Sequence, residues 1–79
     1  MSAEQRRLPQ DPARLFRRRV RARLTQDQLA EKAGTSKSTI SRLENGNAAA
    51  EVETLHRIAE ALGCDVTELM PVEPEARLA

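Results

Sequence analysis

Aromatic side chains are almost absent from this chain: Phe16 is the only one, and there is no Trp or Tyr. A core without rings must be built from aliphatic residues and alanine, which favours closely packed helices. Cysteine is nearly absent too. Cys64 stands alone, which excludes an internal disulfide and a cysteine zinc site. Long apolar runs are missing. The longest is three residues, Ala48, Ala49 and Ala50, against the roughly 20 that a membrane crossing needs. No apolar block follows Arg6 and Arg7, so the start does not read as a secretory signal. These absences describe a cytoplasmic, reduced protein with no membrane partner. At 79 residues there is room for one domain, which buries roughly 60% of its unfolded surface and is marginally stable. No segment alternates with period two for long enough to form a strand.

Net charge is also low, at +1, but it is unevenly placed. Residues 1–50 carry 11 basic and 5 acidic side chains; residues 51–79 carry 2 and 7. One end of the domain thus suits a polyanion and the other does not. The alternative is that arginine and glutamate merely solubilise different helices.

Residues 1–10 show no periodicity and read as a flexible tail. Asp11 followed by Pro12 is a helix start, with Asp as cap and Pro in the first turn. This helix should run to about Ala22, with Leu15, Phe16, Val20 and one arginine, Arg19, towards the core. Thr25 and Gln28 form a capping box for a second helix with Leu29, Ala30 and Ala33 inward. Gly34 stops it. Ser36 caps a third helix, Lys37 to about Asn45, with Ile40 and Leu43 inward, and Gly46 ends it. Val52, Leu55, Ile58, Ala59 and Leu62 mark a fourth helix. Asp65 and Glu68 open a one-turn fifth helix ended by Pro71. The domain is placed at residues 11–70, with residues 71–79 a second flexible tail.

Only Gly34, Thr35 and Ser36 join the second and third helices. So short a turn sets them at a steep angle, roughly 90–120°, which is a helix-turn-helix. The third helix then projects Lys37, Ser38, Thr39, Ser41 and Arg42 outward. None is apolar or acidic. Lys and Arg can donate to guanine edges, while Ser and Thr reach phosphates or bases. The helix N-terminus adds a partial positive charge.

The stretch from Leu24 to Gly34, followed by Ser36 to Gly46, resembles the Cro and phage-repressor (XRE) helix-turn-helix family. Ile58, Ala59, Glu60, Ala61, Leu62 and Gly63 resemble its fourth helix. The resemblance covers roughly residues 13–70. It implies an all-α, compact five-helix, lambda-repressor-like domain that binds double-stranded operator DNA, usually as a dimer. It places base contacts at Lys37, Ser38, Thr39 and Arg42. It places phosphate contacts at Thr25, Gln26, Ser36, Ser41 and Asn45, with Thr25 and Ser36 also serving as caps; Arg19, on the arginine-rich first helix, is a further phosphate contact read from the residues themselves. Related repressors hold a buried arginine–glutamate pair at the positions of Arg19 and Glu44, so these two are expected to pair.

Two departures from the family stand out. Arg23 occupies a position that is often glycine, which implies backbone strain or a longer first helix. The loop at residues 47–51 lacks the basic residues and the proline that relatives place there. It should hold phosphate poorly and be more mobile, unless Arg14, Arg18 or Arg19 compensates. His56 reads as a surface residue and Cys64 as a half-buried filler. Phe16 and Met70 read as core contacts.

The leading expectation is a sequence-specific transcriptional regulator, forming a weak homodimer through Leu69, Met70 and Val72 on a palindromic operator. A second reading is an antitoxin or other protein-interaction module, meeting a basic partner through its acidic C-terminal part. An enzyme has little support. There is no phosphate loop, metal cluster or nucleophile–base pair, so no catalytic residue, cofactor or metal is expected.

Overall fold

A computed structural model of the protein describes residues 8–72. Four α-helices follow one another: α1 (Pro12–Arg21), α2 (Gln26–Ala33), α3 (Lys37–Asn45) and α4 (Val52–Leu62). A 3-10 turn, Val66–Leu69, closes the order. The described residues contain no strand. The expected fifth helix is thereby corrected to a 3-10 turn. Between the Asp65 cap and Pro71 there is space for about one turn, and proline cannot supply the amide that would continue it.

Each boundary has a local cause. The Asp11 carboxylate accepts from the amides of Ala13 and Arg14 at 3.0 and 3.3 Å. Thr25 and Gln28 form both bonds of the capping box, at 3.0 and 2.9 Å. Ser36 Oγ accepts from the Thr39 amide at 3.1 Å. Asp65 accepts from the amide and the hydroxyl of Thr67. Those two bonds, with the His56 charge as a minor contributor, hold the exposed Asp65 carboxyl below its ordinary range. Gly34 ends α2 at φ 70°, a left-handed conformation that glycine adopts without cost. Arg23 does the same work between α1 and α2 at φ 61° but carries a side chain. The strain expected there is therefore present, while α1 itself ends at Arg21.

Helix α2 packs against α3 and α4, α1 packs against α3, and the terminal turn lies across α4 and α1. Leu15, Leu29, Ile40, Leu43, Ile58 and Leu69 are fully buried where these elements meet. Each such side chain contributes about 1.5–3 kcal/mol relative to exposure. Ala30, Ala33, Ala50, Leu55 and Ala59 complete the buried set. Small residues on α2 let α3 and α4 approach it closely.

Several expectations about the core and the chain ends need correction. Phe16, Val20, Val52 and Met70 are exposed. On α1 the buried direction runs through Leu15, and the turn of the helix carries Phe16 and Val20 past it. Leu69 is fully buried, which removes it from any dimer surface. Gln10 is 0% exposed, so the expected tail ends before it. Its Nε2 donates to the carbonyls of Ala48 (2.8 Å) and Leu43 (3.3 Å), and its Oε1 accepts from the Ala50 amide (2.9 Å). This one side chain satisfies loop backbone groups that a buried segment could not leave unpaired. The loop is thus pinned without the proline whose absence suggested mobility. The rest of the first expected tail, residues 1–7, and most of the second, residues 73–79, lie outside the described residues. Among the described residues no helix is long and apolar enough to cross a membrane.

Candidate nucleic-acid interface

The local grammar that closes α2 at Gly34 and restarts the chain at Ser36 leaves one face of α3 pointing outward. Lys37, Ser38, Arg42 and Asn45 are exposed on it, and Thr39 and Ser41 are half-buried. The Ser36 and Thr39 hydroxyls hydrogen-bond at 3.0 Å, which turns Thr39 back towards the cap. A groove of about 270 Å3 runs between α3 and the start of α4, lined among others by Thr35, Thr39, Arg42, Glu51 and Thr54. That Thr35 and Thr54 share this groove was not legible, because it brings together segments far apart in sequence. First-turn amides of α2 and α3 have no intrahelical acceptor. Both helix starts therefore add donors and partial positive charge.

Glu44 is the one carboxylate on α3, and the fold takes it off the surface. Arg19 Nε donates to Glu44 Oε2 at 2.6 Å and Arg19 Nη2 donates to Oε1 at 3.0 Å. Arg19 Nη1 donates to the Leu24 carbonyl at 2.8 Å. The two side chains retain 12% and 3% of their exposure. Gln26 Nε2 donates to the same Glu44 Oε1 at 3.0 Å. Arg19, Glu44 and Gln26 thus form one chain of charge-assisted bonds across α1, α3 and α2. The Gln26 contact was not foreseen; residue spacing alone does not bring α2 against the end of α3. The result is an outward face with its acid neutralised and Gln26 fixed at its edge.

The same geometry corrects the expected phosphate roles on α1. Arg19 has all three guanidinium nitrogens engaged inside the protein, which leaves no free fork for a phosphate. Arg14 Nη1 donates to the Met70 carbonyl at 2.8 Å, and Arg18 pairs with Glu68. Both reach towards the terminal turn rather than towards the loop at residues 47–51. Arg19 also lies over the Phe16 ring, 5.4 Å from its centroid. His56 is exposed and Cys64 is half-buried against the core. Among the described residues no group of three or more His, Cys, Asp or Glu could hold a metal.

Two short helices set by a three-residue glycine turn, with an acid-free face on the second, define a helix-turn-helix module. A family model described as helix-turn-helix matches residues 15–69, and the chain belongs to that family, the Cro and phage-repressor (XRE) type of DNA-binding regulator. A competence pilus inhibition repressor from Acinetobacter baylyi is 45% identical over 51 residues, 65% of this chain. The match spans 46% of that relative, so it concerns about half of its length. The restriction-modification controller protein C.AhdI from Aeromonas hydrophila is similar in structure, with a TM-score of 0.73 and 27% identity. That match covers 75% of this chain and 86% of the controller. The P22 c2 repressor, solved with a synthetic operator, also has a TM-score of 0.73, at 26% identity. It is matched over 78% of this chain and 94% of its own.

Proposed function

We propose that this protein is a sequence-specific transcriptional repressor that binds a palindromic double-stranded operator as a dimer. The observation that carries this reading is the face of α3: exposed Lys37, Ser38 and Arg42, with Glu44 withdrawn and neutralised by Arg19. A helix of this kind fits the major groove, where Lys37, Ser38 and Arg42 meet base edges and Thr39 stays near its cap. Gln26, Thr25, Ser36, Ser41 and Asn45 surround that face as phosphate contacts, which set register but carry no sequence information. Two copies place their α3 helices about 34 Å apart along one side of the duplex. Repression by the Acinetobacter relative and the operator bound by the P22 protein support this reading. The exposed Met70 and Val72 are available for a weak dimer contact.

Operator selection followed by fluorescence anisotropy tests the proposal. If a dimer neutralises about six phosphates, log affinity falls against log salt with a slope near −5. Arg42→Ala is expected to relax preference at one base position per half-site, costing about 1–3 kcal/mol of discrimination. Gln26→Ala is expected to weaken all sequences equally. Equal affinity for every duplex, or a salt-independent Kd, rules the mechanism out. Sedimentation with and without operator measures whether dimerisation depends on DNA.

A further inference from the structure

The flank of α1 turned away from α3 carries a feature that DNA reading does not use. Arg14, Arg17, Arg18 and Arg21 stand at i, i+3, i+4 and i+7, so all four rise from one face of the helix. At 3.6 residues per turn this face centres roughly 150° around the helix from Arg19. With Glu68 the four arginines line a groove of about 200 Å3. Its wall therefore holds four cations and one carboxylate. That carboxylate is paired with Arg18, and Arg14 lends one nitrogen to the Met70 carbonyl. Neither Arg17 nor Arg21 forms an ion pair with a described residue.

Like charges one helical turn apart repel and destabilise a helix. An anion held among them removes that repulsion. Guanidinium groups present planar forks that match oxyanions. The groove is short, confined to Arg14, Arg17, Arg18, Arg21 and Glu68. That size suits a compact ion with several charges rather than an extended acidic chain. Successive turns, about 5.4 Å apart, let Arg14 with Arg17 and Arg18 with Arg21 bracket linked phosphates. We propose that this groove is a binding site for a small oligophosphate anion, either free or as the phosphate end of a nucleotide. Glu68 competes with the anion for Arg18, so occupancy loosens the tie between α1 and the terminal turn. The site stands independently of any operator.

Isothermal titration calorimetry of the full chain, without DNA, tests this with tripolyphosphate as the probe. Ionic strength is matched with sodium chloride, and NMR shifts locate the binding. Saturable one-site binding is expected, with shifts at α1 and Glu68. The exposed double variant Arg17→Ala/Arg21→Ala, with folding checked by circular dichroism, should weaken binding at least tenfold. Glu68→Gln should tighten it several-fold. Adenosine triphosphate binding no tighter than tripolyphosphate identifies the free oligophosphate as the source; tighter binding identifies a nucleotide. The proposal is overturned if the double variant binds like the parent, or if shifts fall on the first turns of α2 and α3. It is equally overturned if a glutamate-rich peptide displaces tripolyphosphate at far lower concentration, which would make the groove a protein-docking surface.

Discussion

Arg18 and Arg19 are neighbours in the chain, yet they tie α1 to opposite sides of the molecule. Arg19 reaches inward to a carboxylate with 3% exposure, and every nitrogen it offers is used. Arg18 reaches outward to Glu68, where the two side chains keep 35% and 42% of their exposure. An ion pair withdrawn from water is costly to break from one side, because the remaining charge stays uncompensated. A pair left in water is worth little, because solvent screens it and replaces it. The same chemistry thus builds an inner tie that joins α1 to α3 and α2 and an outer tie to the terminal turn that solvent and ions can reach.

Removing one inner partner should have the largest effect. Arg19→Ala is expected to destabilise the domain by about 3–5 kcal/mol, a large share of what so small a fold possesses. A double-mutant cycle with Glu44→Ala, read by urea denaturation, measures the coupling. A loss below about 1 kcal/mol would put the inner tie on a par with the outer one. Gln10→Ala should follow at about 2–3 kcal/mol, because it strands the Ala48 carbonyl and the Ala50 amide. Hydrogen exchange at Ala50 reports whether the loop opens first.

Arg23→Gly should act in the opposite direction. The left-handed turn at Arg23 leads into Leu24, whose carbonyl Arg19 holds, and a side chain there costs about 1–2 kcal/mol. Glycine's larger unfolded-state entropy offsets part of the relief, leaving a gain of about 0.5–1 kcal/mol and a Tm higher by a few degrees. Thermal melts decide it. Arg18→Ala should cost under about 1 kcal/mol, and added salt should shrink the cost further. The smallest effect belongs to acidification around Asp65. Its folded pKa lies below the unfolded one, so its contribution is complete above the ordinary carboxylate range. It is lost as pH falls through the lowered folded value. Carboxyl NMR titration of Asp65, compared with Thr67→Val, should show the value return upward when the hydroxyl is removed.

Much of the architecture was legible in the order of residues. Asp11, Thr25, Ser36 and Asp65 all cap where expected, and Gly34 and Gly46 end α2 and α3 with positive φ. Caps and stops are local, acting within one turn of the chain, so spacing reveals them. The outward set on α3 was legible for the same reason. The misread residues are those whose neighbours come from elsewhere. Phe16 sits one residue from a buried leucine, and only the docking angle of α1 decides that it faces water. Gln10 lies before the first helix with no periodic pattern, and its partners are 33 to 40 residues away. The Arg19–Glu44 pair was expected from the inward stripe and the family resemblance, but residue type could not say that Arg18 would face Glu68 or Arg14 the Met70 carbonyl.

The sequence by itself determined the helices and the helix-turn-helix, because capping, hydrophobic period and turn length are short-range properties; the family followed from the resemblance of that motif. The tertiary structure decided how charge is used. It drew Gln26 into the Arg19–Glu44 pair and gathered four arginines beside Glu68. Those outcomes depend on desolvation and on distances between elements far apart in the chain, and no local pattern encodes them.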